Sequence, residues 1–431
     1  MKFLKIKKII KTEKITDMYD LEVKKNQNFI LENGILSHNS GKSFLMHVIV
    51  DRFAKAGGSV FIIDTKGEYL TLIAPLQEKL RKFLLPEKFG HEEPQGFEIQ
   101  SLYPAYLLKF SDYEIFQPIE KFIQLNIKNL TTEDLNDFMS LFDVISPNEK
   151  LLVERMFEDL EEKKIDTYNK MIDYIGESGY PDGTTNGLIN KIRQLKADKL
   201  IGEEFDFINL TDIYTPGKIT IINIAGIDTL GKYRNKINAL LGIVLRKLYA
   251  HSQLSKGKAN KILVLVDEIS QWSTENSQAF KEIENILRRG RLFKMSVLIS
   301  AQTKKQYDEV LLVLAPLVFL PFSIDLDEFN EIRKKAQPDD YAVAGNPMVF
   351  KQETAQLYME MKKNKKTGSR DWLMFDKENH EYKIFSPLSP LSHHAAENED
   401  LERIIRKGIR ERKLIAENIL NKEENFLQNK I

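Results

Sequence analysis

Ile262-Leu263-Val264-Leu265-Val266-Asp267-Glu268 is an apolar run that stops at two adjacent carboxylates. Such a run reads as a strand buried on both faces that presents acids at its end. On either side of it the texture alternates. Strands are expected at residues 60–64, 219–224, 297–300 and 317–322, and helices at 44–55, 72–83, 233–248 and 277–289. Strands alternating with helices predict an α/β fold, a parallel sheet covered by helices. Residues 103–215 read as a mainly helical insertion, in which Ser146, Pro147 and Glu149 match the N-cap, N1 and N3 preferences of a helix start. Leu401, Ile404, Ile405, Ile409, Ile415 and Ile419 stand among dense charge and predict an amphipathic helix near the C-terminus.

Composition narrows the class. The 431 residues, 42% hydrophobic and 29% charged, suit a folded chain with a large core rather than a disordered one. The longest apolar stretch, residues 310–322, is broken by Pro316 and Pro321 and falls short of the ~18 residues that span a bilayer, so no membrane segment is expected. With no cysteine, disulfides and thiolate metal sites are excluded, and a cytoplasmic location is the expectation. His393-His394 reads as solvated loop, since no spaced carboxylate cluster accompanies it. Formal charge is zero overall, yet residues 1–39 hold eight lysines against five acids, which leaves a deficit of three in the remainder. The opening lysines interleave with Phe3, Leu4, Ile6, Ile9 and Ile10, a half-buried strand with a basic face suited to a protein partner.

A second motif lies far upstream. Gly41, Lys42 and Ser43 form the latter half of a phosphate-binding Walker A loop, in which backbone N–H groups wrap phosphates, the lysine meets the β/γ oxygens and the hydroxyl binds Mg²⁺. The first glycine of that loop belongs at position 36, which is Leu36, and Ser37, His38 and Asn39 fill its apex. As written, the loop cannot close on phosphate. Residues 262–268 match the Walker B strand, with one carboxylate for Mg²⁺ and a second to polarise water. To these add Asp64-Thr65-Lys66-Gly67-Glu68-Tyr69, the Arg288-Arg289-Gly290-Arg291 run and the strand closing at Ser300-Ala301-Gln302.

Together these motifs resemble the HerA/FtsK superfamily of hexameric DNA-translocating ATPases, which includes conjugation ATPases. The resemblance covers roughly residues 40–325 and implies a RecA-like core, ATP and Mg²⁺ as cofactors, DNA as partner and a homo-hexamer. It implies that Lys42 grips the β/γ-phosphates, Ser43 and Asp267 hold Mg²⁺, Glu268 activates water and Gln302 senses the γ-phosphate. Arg288, Arg289 or Arg291 would act across a subunit interface as an arginine finger; cations at a helix C-terminus are also favoured by the dipole alone.

The segment ahead of the half-loop has its own pattern. Residues 18–23, 28–31 and 33–36, followed by His38-Asn39-Ser40, resemble the two C-terminal blocks of inteins, of the Hint type, at the length of a split intein's C-terminal fragment. The resemblance implies trans-splicing with an N-terminal fragment. The Asn39 amide would attack its own carbonyl to form a succinimide, His38 would donate a proton, and Ser40 would accept the upstream chain as an ester. Gln27 stands where many inteins carry an assisting histidine, so Asp20 or slower chemistry is implied.

The expected organisation is therefore an intein C-fragment at 1–39, the first part of the ATPase core at 40–102, the insertion at 103–215, the core with Walker B at 216–330 and a C-terminal extension at 331–431. Two other readings stay open: a conjugation or DNA-packaging ATPase, and a catalytically inert P-loop relic that binds nucleic acid or serves assembly.

Overall fold

A computed structural model describes residues 28–30, 36–38 and most of 42–392, leaving aside 77–92, 111–119, 226–233, 301–308, 337–346, 364–371 and shorter stretches. The chain divides into two compact units, Met1–Gly41 and Lys42–Ile431. In the first, β1 (Asn28–Ile30) and β2 (Leu36–His38) pair antiparallel, with Asn28 opposite His38. The strand expected at 18–23 lies outside the described residues.

The second unit opens with α1 (Lys42–Lys55) and β3 (Ser59–Asp64). It continues through β4 (Ile99–Pro104), β5 (Glu120–Ile123) and the short pair β6 (Leu125–Asn126) and β7 (Ile201–Gly202). Between these last two lie α2 (Thr132–Met139), α3 (Pro147–Glu158), α4 (Tyr168–Gly176) and α5 (Asp182–Ala197). Next come α6 (Leu210–Ile213), β8 (Ile219–Asn223), α7 (Arg234–Leu254), β9 (Ile262–Val266), α8 (Gln278–Arg289) and β10 (Met295–Ile299). The remainder holds α9 (Glu309–Leu314), β11 (Leu317–Pro321), α10 (Leu326–Ala336), α11 (Pro347–Lys363), β12 (Trp372–Asp376) and β13 (Glu381–Phe385).

Six strands form one parallel sheet in the order β10-β9-β3-β8-β4-β5. Period-two alternation sends their side chains to two cores. Phe61 and Ile63 of β3, Ile222 of β8 and Val264 and Val266 of β9 face the larger one, where α7 and α8 add Ile237, Leu241, Phe280 and Ile283. Val60, Ile62, Ile219, Ile221, Leu263 and Leu265 face the other, covered by Met46, Val50 and Ala54 of α1. Every residue of β3, β8 and β9 is buried, as expected for strands with helices on both sides.

Two expectations are corrected here, and one is refined. The mainly helical 103–215 segment also carries strands. It starts inside β4 and contributes β5 to the main sheet, and β5 (Glu-Lys-Phe-Ile) is too short and too charged at its start to declare itself by hydrophobic pattern. The strand near 317–322 forms, but β11 pairs antiparallel with β12 in a separate three-stranded sheet rather than in the parallel one. In place of a helix from 72, residues Tyr69–Ile73 make a 3-10 turn, and 77–83 fall outside the described residues. The capping box of α3 is as expected: the Glu149 N–H donates to Ser146 Oγ and the Ser146 N–H donates to Glu149 Oε2.

Part of the C-terminal region folds back onto α1. Buried Asp51 accepts hydrogen bonds from the backbone of Leu391 and Ser392 and from Ser392 Oγ, and Arg52 donates to the Ser389 carbonyl. Residues 393–431, including His393-His394 and the helix expected beyond 401, lie outside the described residues.

Candidate functional site

In a parallel sheet the carboxyl ends of the strands, where each turns into its helix, form the binding edge. At that edge β9 delivers Asp267 and Glu268, 5% and 2% exposed, and neighbouring β3 delivers the buried Asp64. Burial puts the Asp267 carboxyl above the usual carboxylate range, an effect that Lys66 and the hydrogen bonds from Ser300 and Thr65 only partly offset. Burial, reinforced by the Asp267 charge, pushes Asp64 up to about 7.

Asp64 organises the turn after β3. Its Oδ1 accepts the N–H groups of Lys66 and Gly67 at 3.0 and 2.9 Å, and its Oδ2 accepts that of Tyr69 at 3.0 Å. The turn needs a positive φ at Gly67, +74°, which glycine adopts without a Cβ penalty. Lys66 is thereby aimed back at β9, where its Nζ meets Glu268 Oε1 at 3.1 Å. Desolvation alone would lower the lysine's pKa, but Glu268, Asp267 and Glu68 outweigh it and raise it.

Glu268 adopts φ +47°, a left-handed conformation costing roughly 1–2 kcal/mol for a residue with a Cβ. Ser300, just past β10, holds it there. The Glu268 N–H donates to Ser300 Oγ at 2.9 Å, and that hydroxyl donates to Asp267 Oδ1 at 2.7 Å. The Ser300 backbone also closes the ladder, its N–H on the Val266 carbonyl and its carbonyl taking the Ile269 N–H. Thr65 Oγ1 donates to Asp267 Oδ2 at 3.3 Å.

The start of α1 is tied to the same turn. Lys42 and Ser43 open the helix and are half-buried. One turn on, His47 Nδ1–H donates to the Ser43 carbonyl at 2.8 Å, and its ring stacks on Tyr69 with centroids 4.8 Å apart. The Tyr69 hydroxyl in turn contacts Met46 Sδ. The lysine–serine pair thus reaches Asp64 through His47 and Tyr69, and Asp64 reaches Asp267 through their shared field.

The structure therefore describes Lys42 and Ser43 at the start of α1 and Asp267 and Glu268 in the turn after β9. Arg288 ends α8 in contact with Glu284 at 2.6 Å, and Arg289 and Arg291 are exposed beside it. Gly41, Gln302, Asn39 and Ser40 lie outside the described residues, and His38 is described only as the end of β2. Sequence reasoning quoted the 64–69 turn and Ser300 without assigning them roles. Missing from it altogether was His47, whose position one turn after Ser43 was the available signal.

The donor set fits a magnesium nucleotide on one side. A serine hydroxyl at a helix N-terminus and carboxylates raised above their usual range by burial are hard-oxygen chemistry. Among the described residues no three acids or imidazoles form a ready-made cage, so a cation there would rely on phosphate oxygens as well. The other side does not fit: where the loop's first glycine is required, Leu36 begins β2.

The parallel sheet with its acid pair, and a lysine–serine helix start tied into the same turn, define a P-loop NTPase-like α/β core. The sequence matches the family described as Helicase HerA, central domain, over residues 39–244. No curated protein matches the chain. Among solved structures the chain is similar to VirB4 of Thermoanaerobacter pseudethanolicus, at 14% identity and TM-score 0.48 over 84% of this chain and 88% of that one. It is also similar to the bacterial conjugative coupling protein TrwBdeltaN70, at 12% and 0.45 over 83% and 84%. A third is the genome packaging NTPase B204 from Sulfolobus turreted icosahedral virus 2 in complex with ATP-gammaS, at 16% and 0.26 over 42% and 73%.

Proposed function

We propose that the chain is part of an ATP-driven motor acting on DNA, whose phosphate loop is finished only when an upstream segment is joined ahead of Ser40. The carrying observation is the coupling of the α1 start, the Asp64 turn and the Asp267–Glu268 pair into one hydrogen-bonded and stacked edge, within the match to a helicase central domain. In this reading Lys42 and the helix N-terminus bind phosphate. Ser43 and Asp267 hold Mg²⁺, which supplies charge neutralisation at the γ-phosphate. Glu268 orients water once nucleotide draws Lys66 away. DNA-packaging and conjugation motors are further forms of the same reading, since this site chemistry does not separate them. An exposed arginine of the 288–291 run would complete a neighbouring subunit's site, which requires a ring.

The test is hydrolysis by a joined chain, with an apolar strand and Gly-x-x-Gly placed directly before Ser40. Mg-dependent ATP turnover should appear, and Lys42→Ala should lower it about 100-fold or more, the scale of losing a charge-stabilising donor. Turnover unaffected by Lys42→Ala would refute the assignment.

A second reading concerns how the joining happens, and three coincident boundaries favour it. The family match starts at residue 39, the compact units part at 41/42, and the segment just upstream is an antiparallel hairpin that ends at His38. Residues 1–39 then act as a split-intein C-fragment: the Ser40 hydroxyl takes the N-terminal fragment's chain as an ester, Asn39 cyclises and so breaks the 39–40 bond, and the freed Ser40 amine captures the acyl group as an amide. Mixed with a matching N-fragment, the protein should yield a ligated product lacking residues 1–39, and Asn39→Ala should abolish it. An amide-joined product free of residues 1–39 from the Asn39→Ala chain would exclude this route.

A further inference from the structure

We propose that the amino-terminal edge of the six-stranded sheet, the end away from Asp267 and Glu268, is a docking surface for an acidic segment of the same chain, residues 397–402. None of the residues involved belongs to the nucleotide edge.

Three connections meet at that edge. α1 closes on Lys55 and turns into β3, residues 255–261 join α7 to β9, and residues 290–294 join α8 to β10. Hydrogen bonds make them one surface. Asn260 Nδ2 donates to the Gly57 carbonyl at 2.8 Å and to Ser59 Oγ at 2.9 Å, the Ser59 N–H donates to the Lys261 carbonyl, and the Ile262 N–H donates to that of Lys294. Their charge is of one sign. Residues 52–58, 252–261 and 286–295 contain no acid, whereas Lys55, Lys256, Lys258, Lys261 and Lys294 are all exposed. Lys261 leans toward α1, its Nζ 5.5 Å from the centre of the Phe53 ring. Lys256 and Lys294 adopt φ +48° and +60°, backbone positions where glycine or asparagine is usual. Glu98, ahead of β4 and two strands from β3, bounds the basic stretch. Such a cluster adds self-repulsion to the fold and attracts an anionic cover. Two exposed leucines stand beside the lysines: Leu254 at the end of α7, 83% exposed, and Leu292 in the α8–β10 connection, 77% exposed. The surface therefore suits a partner that is acidic and apolar at once, rather than a bare phosphate backbone.

The chain carries such a partner within reach. Residues 397–402 read Glu-Asn-Glu-Asp-Leu-Glu, four acids with no cation, and Leu401, Ile404 and Ile405 have the spacing of one helix face. Their starting point is fixed on α1. Ser392 is bonded through its N–H and its hydroxyl to Asp51, and Arg52 holds the Ser389 carbonyl. Asp51 lies four residues before Lys55, on the same side of α1 at its last turn. The described chain is therefore delivered to within one helical turn, about 5.4 Å, of the first lysine. Five residues from Ser392 to Glu397 span up to about 17 Å, while β3 and β10 are two strand spacings apart, about 10 Å. The acids can thus reach every lysine of the edge, and the apolar residues behind them the two leucines. Tethering decides the occupant. A segment tethered this closely acts at an effective concentration on the order of millimolar, so it takes the edge ahead of a polyanion free in solution.

The test is run on the full chain. A zero-length carbodiimide, which couples a lysine amine to a carboxylate in contact with it, should join Lys256, Lys258 or Lys294 to residues 397–402. In a mixture of ¹⁵N-labelled and unlabelled protein the coupled peptides should come from single chains. Acetylation of those three lysines should be about threefold slower in the unaltered protein than in a variant carrying Glu397→Gln, Glu399→Gln, Asp400→Asn and Glu402→Gln, and the difference should vanish at about 1 M salt, where the screening length falls to ~3 Å. Lys163, exposed and paired with Asp159 just past α3, is the control and should react alike in both. No coupling, equal acetylation of the edge lysines in both proteins, or coupling found only between labelled and unlabelled chains would each overturn the proposal. Edge lysines indifferent to the four substitutions but protected by duplex DNA would overturn it too and make the edge a nucleic-acid surface.

Discussion

Asp64 holds the turn that aims Lys66, and it does so in surroundings that disfavour its charge. An acid whose folded pKa is about 7, against an ordinary 3.8, keeps its proton in the folded state while the unfolded chain has lost it. Between those values the folded state binds more protons, so this group's contribution to stability is present below pH ~4 and is lost as the pH rises through 7. Asp64→Asn should flatten that loss: urea unfolding at pH 5 and pH 8 should show the unaltered protein declining relative to the variant, by at most about 1.4 kcal/mol per pH unit. Parallel pH profiles would contradict the assignment. The Lys66–Glu268 pair is the other residue-scale device, with 32% and 3% of the two side chains exposed. Lys66→Met leaves Glu268 buried without its ammonium, while Lys66→Met with Glu268→Gln removes the charge too. The double variant should be more stable than additivity predicts, by about 1–3 kcal/mol. A coupling of zero would mean that the pair is not formed.

At the scale of elements, the long helix α7 is fixed to α2 by Arg246. Its guanidinium meets Asp134 Oδ1 at 2.5 Å and Asp137 Oδ2 at 2.6 Å, and Lys247 reaches Asp134 at 2.7 Å. Asp134 also completes the capping box of α2 with Thr131, so one buried carboxylate serves both the helix end and the helix contact. Arg246→Met should cost about 3 kcal/mol in chemical unfolding because it takes the guanidinium from Asp137 and leaves Asp134 with Lys247 and the Thr131 N–H. Less than 1 kcal/mol would show the network to be ornamental. These contacts could not be read from sequence, because Asp134 and Arg246 lie more than a hundred positions apart. What could be read is local. Ser146-Pro147-Glu149 announced α3, and five apolar residues before Asp267-Glu268 announced β9. The order of strands in the sheet, and the loss of β11 to an antiparallel sheet, depend on long-range pairing that no local pattern encodes. The same holds for the site: Lys42, Ser43, Asp267 and Glu268 declared themselves by motif, whereas Ser300, Asp64 and His47 act through hydrogen bonds and stacking visible only in the fold.

For the whole molecule, a hairpin-bearing unit at residues 1–41 precedes an α/β unit that has its acids, its helix and its covering layers, and Leu36 stands where the phosphate loop's first glycine is required. The C-terminal segment at 389–392 is bound to α1 through Asp51, which burial pushes to about 6 despite the hydrogen bonds it accepts from Ser392 and Leu391. The helix that begins with Lys42 is thus anchored within the second unit itself. The most direct measurement is Mg-dependent ATP hydrolysis by the unjoined full chain beside its Lys42→Ala variant. The account predicts equal, background rates for both; robust turnover by the unjoined chain that Lys42→Ala abolishes would contradict it.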